Sequence, residues 1–227
     1  MNFLCHAIPY LDQPLLAIST GVPDWMSVVD RKVRARGKLA AQHVDSPDPD
    51  LAAVASGIIR HIEDDRWFHG TEAFVETNLR LAVELRDLLP GDTGFRPMFV
   101  GHILIEMLLD SYWIRDDPEI GRKYYDAVAA ADAEVVQKCV VAITGKSVLG
   151  LVPVMQRYCD VQFLYDYLDH EKLLMRINQV MKRVGLSELP ESLVGWLAQA
   201  DKLVESRRIR MLTPPDGSDP FGFRSTV

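Results

Sequence analysis

The chain has 227 residues, enough for one domain or one domain with a small appendage. Hydrophobic residues make up 48% and charged residues 25%, so a sizeable core is affordable and disorder throughout is excluded. A net charge of -7 excludes a protein that coats nucleic acid, and it disfavours docking of an acidic protein unless the cations cluster on one face.

The first thirty residues read as irregular, punctuated by Pro9, Pro14, Gly21 and Pro23. DSPDPD predicts a loop that caps the next helix, with Asp50 as the N-cap. From Leu51 to about Leu89 apolar residues recur at helical spacing. Ile58, Ile62, Phe68 and Phe74 mark buried positions, Leu79, Val83 and Leu85 continue the pattern, and Gly70 splits the region in two. PGDTGFRP is read as a loop ending at Pro97. Met98 to Tyr112 predicts a greasy helix central to the domain, interrupted only by His102, Glu106, Asp110 and Ser111. Pro118 to Val141 predicts one helix or a pair, starting near Glu119. Val154 to Asp169 and His170 to Val184 predict two more, and Pro190 opens a final helix to about Met211. The tail TPPDGSDPFGFRSTV, rich in Pro, Gly and Ser, is expected to be poorly ordered unless it docks. Alternation with a period of two is weak everywhere, so the expected fold is all-α: a compact multi-helix bundle over residues 1–212 with a tail over 213–227.

Cys5, Cys139 and Cys159 are odd in number and far apart, with no C-x-x-C pair, and are expected to be reduced and mostly buried. The N-terminus does not look like a signal peptide, and the longest apolar stretch, Cys139 to Met155, is broken by Gly145, Lys146, Gly150 and Pro153. A soluble cytoplasmic protein with neither a nucleic-acid nor a membrane partner is the expectation.

Two triplets carry the chemistry. In HIEDDRWFH, His61, Asp65 and His69 fall at i, i+4 and i+8; each step of four advances roughly 40° around a helix, so all three share a face. Imidazole nitrogen and carboxylate oxygen on successive turns suit a divalent cation. In GHILIEMLLD, His102, Glu106 and Asp110 repeat the spacing in apolar surroundings, where a carboxylate needs a partner. His6 and Asp24 are weaker candidates. The competing readings are a solvated helix face for the first triplet, a satisfied buried polar network for the second, a core or surface histidine for His6 and a cap for Asp24. AITGKS is not a P-loop, because Val140 stands where that loop needs its first glycine. A pair of E-x-x-H helices and a G-x-S-x-G elbow are both missing.

With these residues in place, the chain resembles the acyl carrier protein phosphodiesterase family. The opening MNFLCH is similar to that family's start. Gly21 to Asp24, GIIRHIEDD with His61 and Asp65, the acids Glu106 and Asp110, and QRYCDVQFL with Arg157, Tyr158 and Asp160 follow in order over most of residues 1–165. His69 stands where the family has aspartate, Glu106 replaces an aspartate, Ser111 replaces a histidine, and the adjacent His-Asp dipeptide of HD proteins is missing. The resemblance implies an HD-domain-like bundle that releases 4′-phosphopantetheine from acyl carrier protein with a divalent cation, Mn2+ first and Mg2+, Fe2+ or Zn2+ as alternatives.

On that basis the expected metal ligands are His6, Asp24, His61, Asp65, His69, His102, Glu106 and Asp110. The expected catalytic set is Asp64, Asp65, His69 and Arg157, with Asp64 or His69 moving protons and Arg157 or Arg60 holding phosphate oxygens. The alternatives are a phosphohydrolase acting on a nucleotide or other small phosphoester, and a non-catalytic metal-binding helical bundle.

Overall fold

The structure, a computed structural model, describes residues 1–91 and 94–223. Among the described residues all the regular secondary structure is helical and there is no strand. The all-α expectation holds. The chain falls into two compact units: Met1–Arg66 with Asp117–Phe163, and Trp67–Asp116 with the described residues from Leu164 onward.

The first unit opens with α1 (Phe3–Ala7), α2 (Pro14–Ser19) and α3 (Val22–Val29), where the sequence reads as irregular. Proline is the reason for that misreading. Pro14 and Pro23 occupy the first turns of α2 and α3, where the missing N–H costs nothing and the fixed φ favours a helix. After the short α4 (Gly37–Ala40) comes α5 (Pro49–Phe68), the last two residues of which belong to the second unit. Its N-terminus is capped by Asp48 rather than Asp50: Asp48 Oδ1 accepts from the N–H groups of Asp50 and Leu51 at 3.1 and 3.4 Å. Pro118 to Val141 resolves into a pair, α8 (Pro118–Ala130) and α9 (Ala133–Thr144), capped by Asp117 and Asp132.

The helix expected from Val154 instead begins earlier, as α10 (Leu151–Val161). It stops at Gln162, whose backbone is left-handed with φ 46°. The core of this unit gathers around Tyr158, 4% exposed, whose ring lies 4.9 Å from Phe3, 5.4 Å from Trp25 and 5.0 Å from Phe163. Its hydroxyl pairs with that of Tyr124 at 3.0 Å. Burying a ring of this size contributes about 2–3 kcal/mol, and the hydroxyl pair spares its polar end an unsatisfied burial.

The second unit is built on α6 (Glu72–Leu88) and α7 (Pro97–Asp116), with α11 (His170–Arg183), α12 (Val194–Glu205) and α13 (Arg208–Met211). The break expected at Gly70 is there, between Phe68 and Glu72, and Thr71 caps α6 by accepting from the Phe74 N–H. Leu79 and Val83 are 54% and 46% exposed, against the expectation of burial, because α6 turns its Phe74, Thr77, Asn78, Leu81 and Leu85 face inward. The expectation of a central greasy helix is met by α7, which packs against α6, α11 and α12. Gly101 lets α6 and α7 approach closely; a Cβ there would stand 2.5 Å from Asn78 Oδ1. Tyr112 donates to the carbonyl and to Oδ1 of Asp201, both at 2.8 Å, and His170 Nε2 lies 3.0 Å from Asp201 Oδ2. One carboxylate thus ties α7, α11 and α12 together.

The final helix expected from Pro190 is interrupted, with α12 and α13 separated at Ser206 and Arg207. The tail docks: Phe221 and Phe223 lie against Trp113, each with ring centroids 5.5 Å away. The last four residues of that tail, and residues 92 and 93 of the PGDTGFRP loop, lie outside the described residues. Among the described residues no helix is long and apolar enough to cross a membrane. All three cysteines are free, Cys5 and Cys139 buried and Cys159 half-buried, as their spacing implied.

Candidate metal centres

Six of the eight candidate ligands fall into two triplets, each within one unit: His6, His61 and Asp65, and His69, His102 and Glu106. In each triplet one ligand atom per residue lies within 4.8 Å of the others.

The first triplet joins α1 to α5. His6 is fully buried, and its ring lies 4.2 Å from that of His61, tilted by 31°. His6 Nε2 is 3.3 Å and His61 Nε2 is 3.5 Å from the Asp65 carboxylate, on Oδ1 and Oδ2 respectively. The Met1 amino group donates to Asp65 Oδ1 at 2.5 Å, and His6 Nδ1 lies 3.5 Å from Asp64 Oδ2. Burial pushes the Asp65 carboxyl up, but the hydrogen bond with His6 and the positive charges of the N-terminus and His61 outweigh it and hold it well below the usual range. For His6, burial favours the neutral ring; its hydrogen bonds with Asp64 and Asp65 prevail and raise its pKa. The i, i+4 spacing of His61 and Asp65 on α5 is therefore a real shared face, and the solvated-face reading fails for His61, which is only 6% exposed.

The second triplet is built from the α5–α6 junction and α7. His69 Nε2 and His102 Nε2 converge on a single oxygen, Glu106 Oε1, at 2.9 and 3.1 Å. His102 and Glu106 are one turn apart on α7, whereas His69 arrives from the turn after α5. The rings of His69 and His102 lie 4.4 Å apart, and Phe74 touches both, at 5.0 and 5.1 Å. Phe68 flanks His69 at 5.2 Å. The Thr71 cap that starts α6 therefore also sets Phe74 against the imidazoles. Burial pushes the Glu106 carboxyl up, yet the hydrogen bonds with His102 and His69 contribute to holding it well below its ordinary value, so the site carries a carboxylate anion. All three side chains keep some exposure: 29% for His69, 34% for His102 and 16% for Glu106.

Asp24 and Asp110 belong to neither triplet. Asp24 lies in the first turn of α3, where its carboxylate complements the helix N-terminus, and Asp110 is fully buried on α7 with interactions of its own. Asp64 borders the first triplet through His6, while Arg157 is exposed on α10 and Arg60 pairs with Glu63. His69, in sequence the third of a run with His61 and Asp65, pairs in the structure with Glu106. The Met1 amino group has no signal in sequence spacing and was missed.

No known family model, curated protein or solved structure matches the chain. The two centres stand on their own geometry.

Proposed function

We propose that the chain is a divalent-cation-dependent hydrolase of phosphoric esters, with its cation held by His69, His102 and Glu106. The observation that carries this is the convergence of two imidazole Nε2 atoms on one carboxylate oxygen in a group that solvent can reach. Two nitrogens and one oxygen form a donor set that suits manganese, iron(II) or zinc and leaves coordination positions for other molecules. A cation bound there supplies Lewis acidity toward a phosphoryl oxygen and activates water at neutral pH.

The chain's own residues supply the rest. To hold a cation, His69 and His102 would give up their Nε2 hydrogen bonds to Glu106 and turn both Nε2 lone pairs to the ion, with the ring proton carried on each Nδ1. Glu106 brings the negative charge that a cation needs in partly buried surroundings. Phe68 and Phe74 fix the ring planes and keep water from one side of the site. His6, His61 and Asp65 offer the same donor chemistry and form a second place for a cation, with His61 and Asp65 at the positions that resemble the acyl carrier protein phosphodiesterase motif. That resemblance supports a phosphodiester substrate, with 4′-phosphopantetheine on acyl carrier protein as the first to try and manganese as the first metal.

Elemental analysis of untagged protein beside Glu106→Gln and Asp65→Ala, followed by hydrolysis of bis-(p-nitrophenyl) phosphate with added manganese, tests the proposal. Stoichiometric metal lost in Glu106→Gln, together with turnover lost in the same variant, supports it. Metal without turnover toward any phosphodiester reduces the chain to a metal-binding bundle. A protein that takes up no metal on titration with manganese, iron(II) or zinc overturns the proposal.

A further inference from the structure

Several arginines in this acidic chain are neutralised by neighbours: Arg60, Arg80, Arg115, Arg122, Arg176 and Arg208 each sit on a carboxylate. The segment that runs from the end of α3 into α4 breaks that habit. DRKVRARGK, residues 30–38, carries five cations against one acid, Asp30. Val33 and Ala35 turn inward while Arg31, Lys32, Arg34, Arg36 and Lys38 are all exposed. Lys32, Arg34, Arg36 and Lys38 make no ion pair among the described residues, and Asp30 spends its Oδ1 on the Lys32 backbone N–H at 2.8 Å.

A second loop of the same unit adds apolar surface. The α9–α10 connection carries Lys146, exposed and with no ion pair among the described residues, and Leu149, 86% exposed. Its Gly150 is pressed against α3, where a Cβ would stand 2.9 Å from Val29 Cγ1. That contact brings Leu149 beside the end of α3, where Val28 is 44% exposed and the basic segment begins. The result is a projecting leucine beside a basic strip in which Lys32, Arg34, Arg36 and Lys38, with Lys146 nearby, make no ion pair among the described residues, on a chain whose net charge is -7.

We propose that this surface attaches the protein peripherally to an anionic lipid bilayer. A protein partner gains affinity from a cluster of anchors packed into matching pockets, and here the apolar content is one protruding leucine and one half-exposed valine. A bilayer needs no matching pocket: it takes up a projecting side chain between headgroups while nearby cations gather acidic lipid. The acidic remainder of the chain is repelled by the same surface, which orients the basic edge toward it. Peripheral attachment needs no membrane-spanning helix, and it rests on none of the metal chemistry above. It departs from the sequence-based expectation of no membrane partner.

The test is co-sedimentation of the full chain with vesicles of phosphatidylcholine, with and without phosphatidylglycerol, at physiological ionic strength. The wild type is expected to sediment only with the anionic vesicles and to be released by added salt. Arg34→Gln/Arg36→Gln is expected to weaken partitioning about 30-fold, two cations at the surface being lost. Leu149→Ser is expected to weaken it about tenfold. Arg122→Gln, which removes a cation already paired with Glu119 and Asp126, leaves binding unchanged. Circular dichroism on each variant confirms that the helices remain. A wild type that ignores anionic vesicles, or binds them equally well after Arg34→Gln/Arg36→Gln, overturns the proposal. Retention on immobilised polyglutamate that depends on Arg34 and Arg36, without vesicle binding, assigns the strip to an acidic protein instead.

Discussion

Gly57 sits on α5 one turn before His61, where α5 crosses α2. A methyl group there would meet Ser19 Cβ at 2.6 Å, the Leu16 carbonyl oxygen at 2.8 Å and the Ser19 carbonyl carbon at 2.8 Å. Two of these are backbone atoms, so no rotamer change relieves the clash, and α2 must retreat by about 0.8 Å to restore the 3.4 Å at which ordinary contacts begin. Overpacking of this kind costs about 1–3 kcal/mol, and the rigid neighbours place Gly57→Ala at the upper end. Replacing glycine by alanine within a helix returns about 1 kcal/mol. The balance is a loss of about 2 kcal/mol, which for a chain of this size lowers Tm by about 4–8 °C. Gly195, on α12, is the control: nothing lies within 4 Å of a Cβ there. Gly195→Ala should therefore keep the propensity gain and raise Tm by about 1–4 °C. Differential scanning calorimetry on the two variants decides the matter. A Gly57→Ala protein as stable as the wild type would refute the close-approach argument and the packing of α2 on α5 with it.

Thr71→Ala removes the α6 cap and should cost about 1 kcal/mol in urea denaturation, while Thr71→Ser restores most of it; equal midpoints for the wild type and Thr71→Ala would show that the cap is inert. Burial, with Asp48 and Asp50 nearby, pushes the Cys139 thiol up. The thiolate is the reactive form, so in a Cys159→Ser background the rate of labelling at Cys139 should keep rising with pH beyond the titration of a free cysteine. A rate that levels off by about pH 9.5, as that of a thiol titrating at about 8.5 does, contradicts that.

The helices that bury a wide apolar surface were legible. Met98 to Tyr112 could hardly lie anywhere but in the middle of α7, and the fourfold spacing of His61 with Asp65 and of His102 with Glu106 survives in the structure. Spacing along one helix says nothing about which other element arrives beside it. His69 looked like the third member of the first triplet, but α5 ends at Phe68, and the turn that follows hands His69 to Glu106. Leu79 and Val83 misled for a related reason, since apolar residues on α6 occupy more of its circumference than the packed face needs. The N-terminal helices were hidden by prolines whose effect depends on position within a turn, which composition does not reveal.

Gln162 is held by the backbone it ends. The left-handed turn there redirects the chain out of α10 and drops Phe163 onto Phe3 and Tyr158. For an L-residue with a branched β-carbon that conformation is nearly closed, and for glycine or asparagine it is open. Evolutionary drift at this position should therefore run along an unusual path, free to discard the side chain altogether yet barred from valine, isoleucine and threonine. What residue 162 contributes is a bend, and the aromatic cluster is what that bend delivers.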